Sequence, residues 1–148
     1  MIAVSNTTPL RYLIAIGQEN LLGQLFERVF IPNAVLEELT EAGTPENVRR
    51  RVLSRPAWLE VRTVHDRSDV VFPATLHRGE REAILLAEEQ HPDAVLIDDQ
   101  IGRNIALSRN LPLSGTLGVL ERADAIGILP NFSVVLVQLK ASGFFISD

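Results

Sequence analysis

The sequence predicts a three-layer α/β/α sandwich around a mostly parallel central sheet. Two observations carry this. Short runs of strand-forming residues alternate with stretches of helical spacing along the whole chain, which is the pattern of crossover connections. The run Val95-Leu96-Ile97 is also apolar without a break, ends in Asp98-Asp99, and passes through Gly102 into a helix pattern reaching about Arg109. A continuous apolar run is expected of a strand buried on both faces. It is read as a central strand with a site at its carboxyl end, where ligands bind in open α/β sheets. An array of αα-hairpins is the competing architecture.

The elements follow in order. Residues 1–5 form a strand that Asn6-Thr7-Thr8-Pro9 breaks. Pro9 suits a first helical turn, with Thr7 or Thr8 as its cap. Leu10, Leu13 and Ile14 keep helical spacing up to Gly17, and Leu21, Leu22, Leu25 and Phe26 form the apolar face of a second short helix. A brief strand, 29–31, leads through Pro32-Asn33 to a helix with Val35, Leu36 and Leu39. Gly43-Thr44-Pro45-Glu46 stops one helix and starts the next, with Thr44 as cap. That helix carries Arg49, Arg50 and Arg51 and ends by Pro56.

Residues 58–64 are read as a strand near the sheet edge, and 65–75 as irregular. A strong helix pattern from Gly79 to Gln90 has Ala83, Ile84, Leu86 and Ala87 as its apolar positions. Leu111-Pro112-Leu113 reads as a short edge strand, because proline cannot complete a ladder. Ser114-Gly115-Thr116 turns into a helix through Leu117, Leu120 and Ala123 that ends near Gly127. The last helix, from about 133 to 142, is apolar on more than one side and is expected to be buried or to lie in a subunit interface. All 148 residues are read as a single domain.

Composition narrows the chemistry. The chain has no cysteine, which excludes disulfides, zinc-thiolate sites and cysteine nucleophiles. Its three histidines, His65, His77 and His91, do not fall three or four positions apart, so a metal would have to be held by carboxylates, as suits hard ions. The net charge of −5 argues against broad electrostatic nucleic-acid binding, although Arg49, Arg50, Arg51 and Arg55 cluster. No run approaches membrane-spanning length and the start lacks a leader pattern, so a cytoplasmic protein with no membrane contact is expected. A receiver-like fold would need a lysine late in the sheet, and the only lysine is Lys140, in the last helix.

Four stretches are candidates to meet at one end of the sheet: Asn6, Glu37-Glu38, Glu80 with Glu82, and Asp98-Asp99. Several carboxylates in one crevice repel one another unless a cation neutralises them. An ion held there can activate water and stabilise charge on a phosphate. Each residue also has a plainer reading as a surface helix residue or a helix cap.

In this order, Val4-Ser5-Asn6-Thr7-Thr8-Pro9-Leu10, Ile31-Pro32 through Val35-Leu36-Glu37-Glu38-Leu39, Gly79-Glu80-Arg81-Glu82-Ala83-Ile84, and Leu96-Ile97-Asp98-Asp99 with Gly102-Arg103 through Gly115-Thr116-Leu117-Gly118-Val119-Leu120 resemble a PIN domain. Within that family the chain looks like the PIN-like branch of bacterial and archaeal proteins related to the toxins of toxin–antitoxin pairs. The resemblance implies a mostly parallel sheet flanked by helices and a Mg²⁺- or Mn²⁺-dependent endoribonuclease, a hydrolase of RNA phosphodiester bonds. It places the family's acids at Asn6, Glu38, Glu82 and Asp99, with Glu38, Glu82, Asp99 and Asp98 as metal ligands. Thr7, Thr8 and Glu80 are supporting residues. Arg11, Arg78 and Arg103 are candidates for contacts to the RNA backbone, and Tyr12 and Trp58 are read as isolated packing residues. Where the family has an acid this chain has Asn6, which offers an oxygen without charge. A catalytically weak or inactive PIN-like protein acting through RNA or protein binding is therefore the alternative. A homodimer and an antitoxin from an adjacent gene are the expected partners.

Overall fold

The computed structural model describes residues 1–65, 67 and 69–145. Positions 66 and 68, in the stretch read as irregular, lie outside the described residues. The elements are β1 (Ile2–Ser5), α1 (Thr7–Ala15), α2 (Asn20–Leu25), β2 (Arg28–Pro32), α3 (Asn33–Thr40), α4 (Glu46–Leu53) and β3 (Leu59–Arg62). They continue with α5 (Arg78–Gln90), β4 (Ala94–Leu96), α6 (Gln100–Ser108), β5 (Leu113–Ser114), α7 (Thr116–Ala125) and α8 (Phe132–Ala141). The strands form one five-stranded sheet in the order β3-β2-β1-β4-β5, and every pairing is parallel.

The strands alternate between two apolar layers, as the pleat requires. Val4, Phe30, Val95 and Ile97 pack with Ile84, Leu86 and Ala87 of α5 and with Ala106 of α6. Ala3, Val29, Ile31 and Leu96 face the other way, onto Leu10 and Leu13 of α1, Val35 and Leu39 of α3, Leu120 of α7 and Leu139 of α8. This is the three-layer sandwich. Burying each large side chain contributes roughly 1.5–3 kcal/mol before entropy is counted.

The structure revises four local expectations. β1, not the strand before Asp98-Asp99, is the middle of the sheet, and β4 flanks it. The cap position of α1 is Asn6, and its side chain makes no capping bond. α4 likewise has Pro45 at its cap position, while the Thr44 hydroxyl donates to the Glu38 carbonyl at 2.8 Å. In α8 only Val135 and Leu139 are buried, with Val134 56% and Val137 66% exposed, so that helix is not the deeply buried one its composition suggested. Among the described residues, no helix is long and apolar enough to cross a membrane.

Candidate active site

All five strands run in one direction, so their carboxyl ends form one rim. From β1 the chain moves to β2 on one side, while β4 pairs on the other. The rim between β1 and β4 is thus a topological switch point, the usual ligand crevice of such sheets. Asn6 follows β1 there, and its backbone N–H donates to the Leu96 carbonyl at 2.9 Å. Asp98 and Asp99 follow β4 at the same end.

Three carboxylates come together around this point. Asp99 caps α6, its Oδ2 accepting from the Gly102 N–H at 2.9 Å. Glu80, in the first turn of α5, is buried. A Cβ at Gly102 would lie 3.7 Å from both Asp99 Oδ2 and Glu80 Oε2, so the two acids flank one glycine. Glu38 of α3 lies against Gly79, where a Cβ would come within 2.6 Å of Glu38 Oε1. The Thr7 hydroxyl donates to Glu38 Oε2 at 2.6 Å, tying α1 to α3.

The electrostatics agree with this crowding. Burial pushes the Glu80 carboxyl above its ordinary value, and the charges of Asp99 and Glu38 push it further, partly offset by His77. Glu80 Oε2 and Asn6 Oδ1 are both buried without a hydrogen-bond partner. Glu19 Oε2, Arg62 Nε and Arg109 Nε are orphaned elsewhere; Glu80 Oε2 differs in lying close to the Asp99 and Glu38 carboxylates, where a donor or a cation would satisfy it.

Other residues from the sequence reading are placed differently. Glu82, expected as a ligand, is turned away: Oε1 accepts from the Ala34 N–H at 3.2 Å and Oε2 from Arg78 Nε at 2.9 Å. Arg78 also binds Glu37 at 2.8 Å, so its charge is committed to two carboxylates, which hold its pKa above the ordinary arginine value. Asp98, also expected as a ligand, spends both oxygens on Thr116, accepting from its N–H at 2.8 Å and from its hydroxyl at 2.5 Å. Burial raises the Asp98 pKa, and the bonds to Thr116 and the charge of Arg103 oppose that rise. Arg103 Nη1 donates to the carbonyls of Ile97 at 2.8 Å and Ser114 at 3.2 Å. Arg11 is solvent-exposed on α1, and Thr8 lines a cleft beside the acids.

A family model described as "DUF3368: PIN domain" matches residues 2–148. The chain belongs to the PIN-domain family. A PilT N-terminus domain protein from the hyperthermophilic archaeon Sulfolobus solfataricus has a similar solved structure, with a TM-score of 0.61 and 18% identity over 83% of this chain and 93% of that one. At that identity the likeness is one of fold. Among curated proteins, no sequence matches significantly. PIN domains are generally nucleases that use divalent metals.

The donor set of this PIN domain suits such an ion in kind: hard oxygens from Asn6, Glu38, Glu80 and Asp99, two of them unpartnered. Among the described residues, no three His, Asp or Glu side chains form a ready group for a metal ion. An ion here would therefore need the Asn6 amide oxygen and retained water to complete its shell, an arrangement that Mg²⁺ favours.

The sequence reading missed one part of the surroundings. The cleft, about 850 Å³ in volume, is lined by Thr8, Asp98, Asp99 and Arg103 on the acidic side and also by Tyr12, Phe144 and Phe145. Tyr12 does pack against the core, but it is not isolated, since its ring meets that of Phe144. Its partners lie at the far end of the chain, and the only signal was the Phe144-Phe145 doublet after Gly143. Trp58 does pack, with its ring so close to Gly23 that a Cβ there would lie 2.5 Å away.

Proposed function

We propose that this PIN domain is a divalent-metal-dependent endoribonuclease using Mg²⁺ or Mn²⁺, with Asn6, Glu38, Glu80 and Asp99 holding the ion. The observation that supports this most is the orphaned buried oxygen Glu80 Oε2, close to the Asp99 and Glu38 carboxylates, with a second orphaned oxygen, Asn6 Oδ1, on the residue that follows β1 at the switch point. When bound, a divalent ion supplies an activated water and stabilises charge developing on the phosphate. The protein's residues hold and orient. Thr7 fixes the Glu38 carboxylate, and the Gly102 N–H fixes Asp99 through Oδ2. Asp98 acts from behind by locking Thr116, and Glu82 by holding the start of α3. Arg103, which lines the cleft, and Arg11, exposed on α1, are the candidates for phosphate contacts that would position an RNA strand.

A toxin-like role extends this reading, with an antitoxin from an adjacent gene covering the acids. So does a homodimer through the exposed Val134 and Val137 of α8. The competing reading is a PIN domain that binds RNA or protein without cutting. Asn6 favours it, since the amide leaves the site one negative charge short.

The test is incubation of a mixed RNA pool with Mn²⁺ or Mg²⁺, using the wild type and Asp99→Asn purified identically. Metal-dependent cutting by the wild type alone supports the nuclease. Equal cutting by both marks contamination, and no cutting with no ion binding favours the competing reading.

A further inference from the structure

The cleft beside the acids carries an aromatic group that metal-dependent hydrolysis does not use. Tyr12 and Phe144 meet edge to face, with centroids 5.0 Å apart and planes at 88°. The Tyr12 hydroxyl lies 3.4 Å from the Gly143 carbonyl, which it can reach as a weak donor. The Phe144 N–H bonds back to the Leu139 carbonyl at 3.3 Å. These contacts pin the chain after α8 against α1. The next residue, Phe145, is 86% exposed and lines the same cleft as Asp99, Arg103 and Glu121.

A single exposed phenylalanine is ordinary. This one is held by a docked neighbour at a cleft whose volume, about 850 Å³, lies in the range of pockets that take small organic groups. Carboxylates of Asp98, Asp99 and Glu121 line the cleft, so it disfavours a phosphate in its interior and admits a neutral planar group. A nucleobase has that character, and every base offers a π-face to an aromatic ring. Arg103 commits only Nη1 in the bonds described, leaving its other N–H groups for the phosphate attached to such a base.

We infer that Phe145 is a stacking platform for a nucleobase of single-stranded RNA, seating the nucleotide beside the phosphate to be cut in the cleft lined by α7 and the chain end. This rests on the proposed RNA-cleaving function. It gives the protein a way to bind RNA despite a net charge of −5, through stacking more than counterion release.

The probe is a short, fluorescein-labelled single-stranded oligonucleotide with 2′-O-methyl sugars, which resists cutting, together with versions carrying one abasic position each. Polarisation is measured on full-length wild type, Phe145→Ala and Phe145→Trp, with cleavage of natural RNA followed in parallel. Phe145→Ala is expected to weaken binding about 10-fold, while Phe145→Trp stays within about threefold of wild type. One abasic position is expected to weaken the wild type by a similar factor and Phe145→Ala no further. Equal affinity of wild type and Phe145→Ala overturns the platform, while the cleavage assay still decides the nuclease reading. Changed self-association of Phe145→Ala at unchanged RNA affinity also overturns it, assigning the ring to a contact between copies. No oligonucleotide binding by any of the three proteins overturns the platform and the RNA reading together. Phe145-dependent binding without cleavage leaves the platform standing on a non-cutting PIN domain.

Discussion

Glu80 and Glu82 lie two positions apart on α5 and serve opposite sides of it. The first faces Asp99 and Glu38 across the crevice; the second binds Arg78 and the Ala34 N–H. Two helical steps turn about 200°, which makes this separation unavoidable on a regular helix. α3 begins after Pro32, whose side chain can make no capping bond, so Glu82 satisfies one of its orphan N–H groups from another helix. Glu80→Gln is expected to lower metal-dependent cleavage by about 100-fold, as loss of a group that stabilises reaction charge does. Glu82→Ala should retain most activity and lose about 1 kcal/mol of stability, the worth of a helix cap. Cleavage rates and denaturant melts on the two variants check both.

Gly79 is present because Glu38 occupies the space its side chain would need. Alanine there improves helix propensity by up to about 1 kcal/mol, yet its Cβ would lie 2.6 Å from Glu38 Oε1. The carboxylate must shift, and its bond from Thr7 is expected to weaken. Gly79→Ala should leave the melting temperature nearly unchanged while Mn²⁺ affinity falls about 10-fold, a size typical when a ligand is misaligned. Calorimetry alongside a thermal melt reads both quantities.

Asp98 and Asp99 are adjacent but should fail differently. Removing the Asp98 carboxylate strands two buried Thr116 donors, so Asp98→Ala should cost about 2–3 kcal/mol. Asp99→Ala removes one capping bond, at about 1 kcal/mol, and should abolish divalent-ion binding. Urea unfolding with Mn²⁺ titration of each variant distinguishes support from ligation.

The Glu80 carboxyl titrates above the ordinary 4.5 because burial and the neighbouring charges of Asp99 and Glu38 disfavour its ionised form. The folded protein therefore holds that proton more tightly than the unfolded chain does. Near and below the ordinary value no penalty applies; as pH rises through the folded-state value, stability is lost. With a chelator present, Glu80→Gln should match the wild type near about pH 4 and melt higher than it at about pH 7. Saturating Mn²⁺ should reverse that ranking at neutral pH, because the ion stabilises only the protein that binds it. Melts across this range with and without chelator check the sign.

Much of the fold could be read from the sequence because parallel strands buried on both faces leave uninterrupted apolar runs, as at Val95–Ile97. The short helices announced themselves through proline, glycine and leucine spacing. What stayed hidden depends on facing and on distance along the chain. Resemblance singles out Asn6, Glu38, Glu82 and Asp99, but whether Glu80 or Glu82 lies near Asp99 and Glu38 depends on which way α5 is rotated, and neighbouring acids in a motif do not reveal that. The bonds from Thr116, 18 positions away, to both Asp98 oxygens leave no trace in the local pattern. Tyr12 and Phe144 are 132 residues apart, and no local pattern joins them. The exposure of Val134 and Val137 was masked by an apolar composition that fits a core helix equally well.

Ion binding at Asn6, Glu38, Glu80 and Asp99 is proposed to drive RNA cleavage. The most direct measurement is a Mn²⁺ titration followed by calorimetry and by cleavage rate on the same preparations of wild type and Glu80→Gln. Heat and rate are expected to rise along one curve in the wild type, and in Glu80→Gln the binding heat falls sharply and the rate by about 100-fold. Cleavage that persists in excess chelator, or ion binding that Glu80→Gln leaves unchanged, would contradict it.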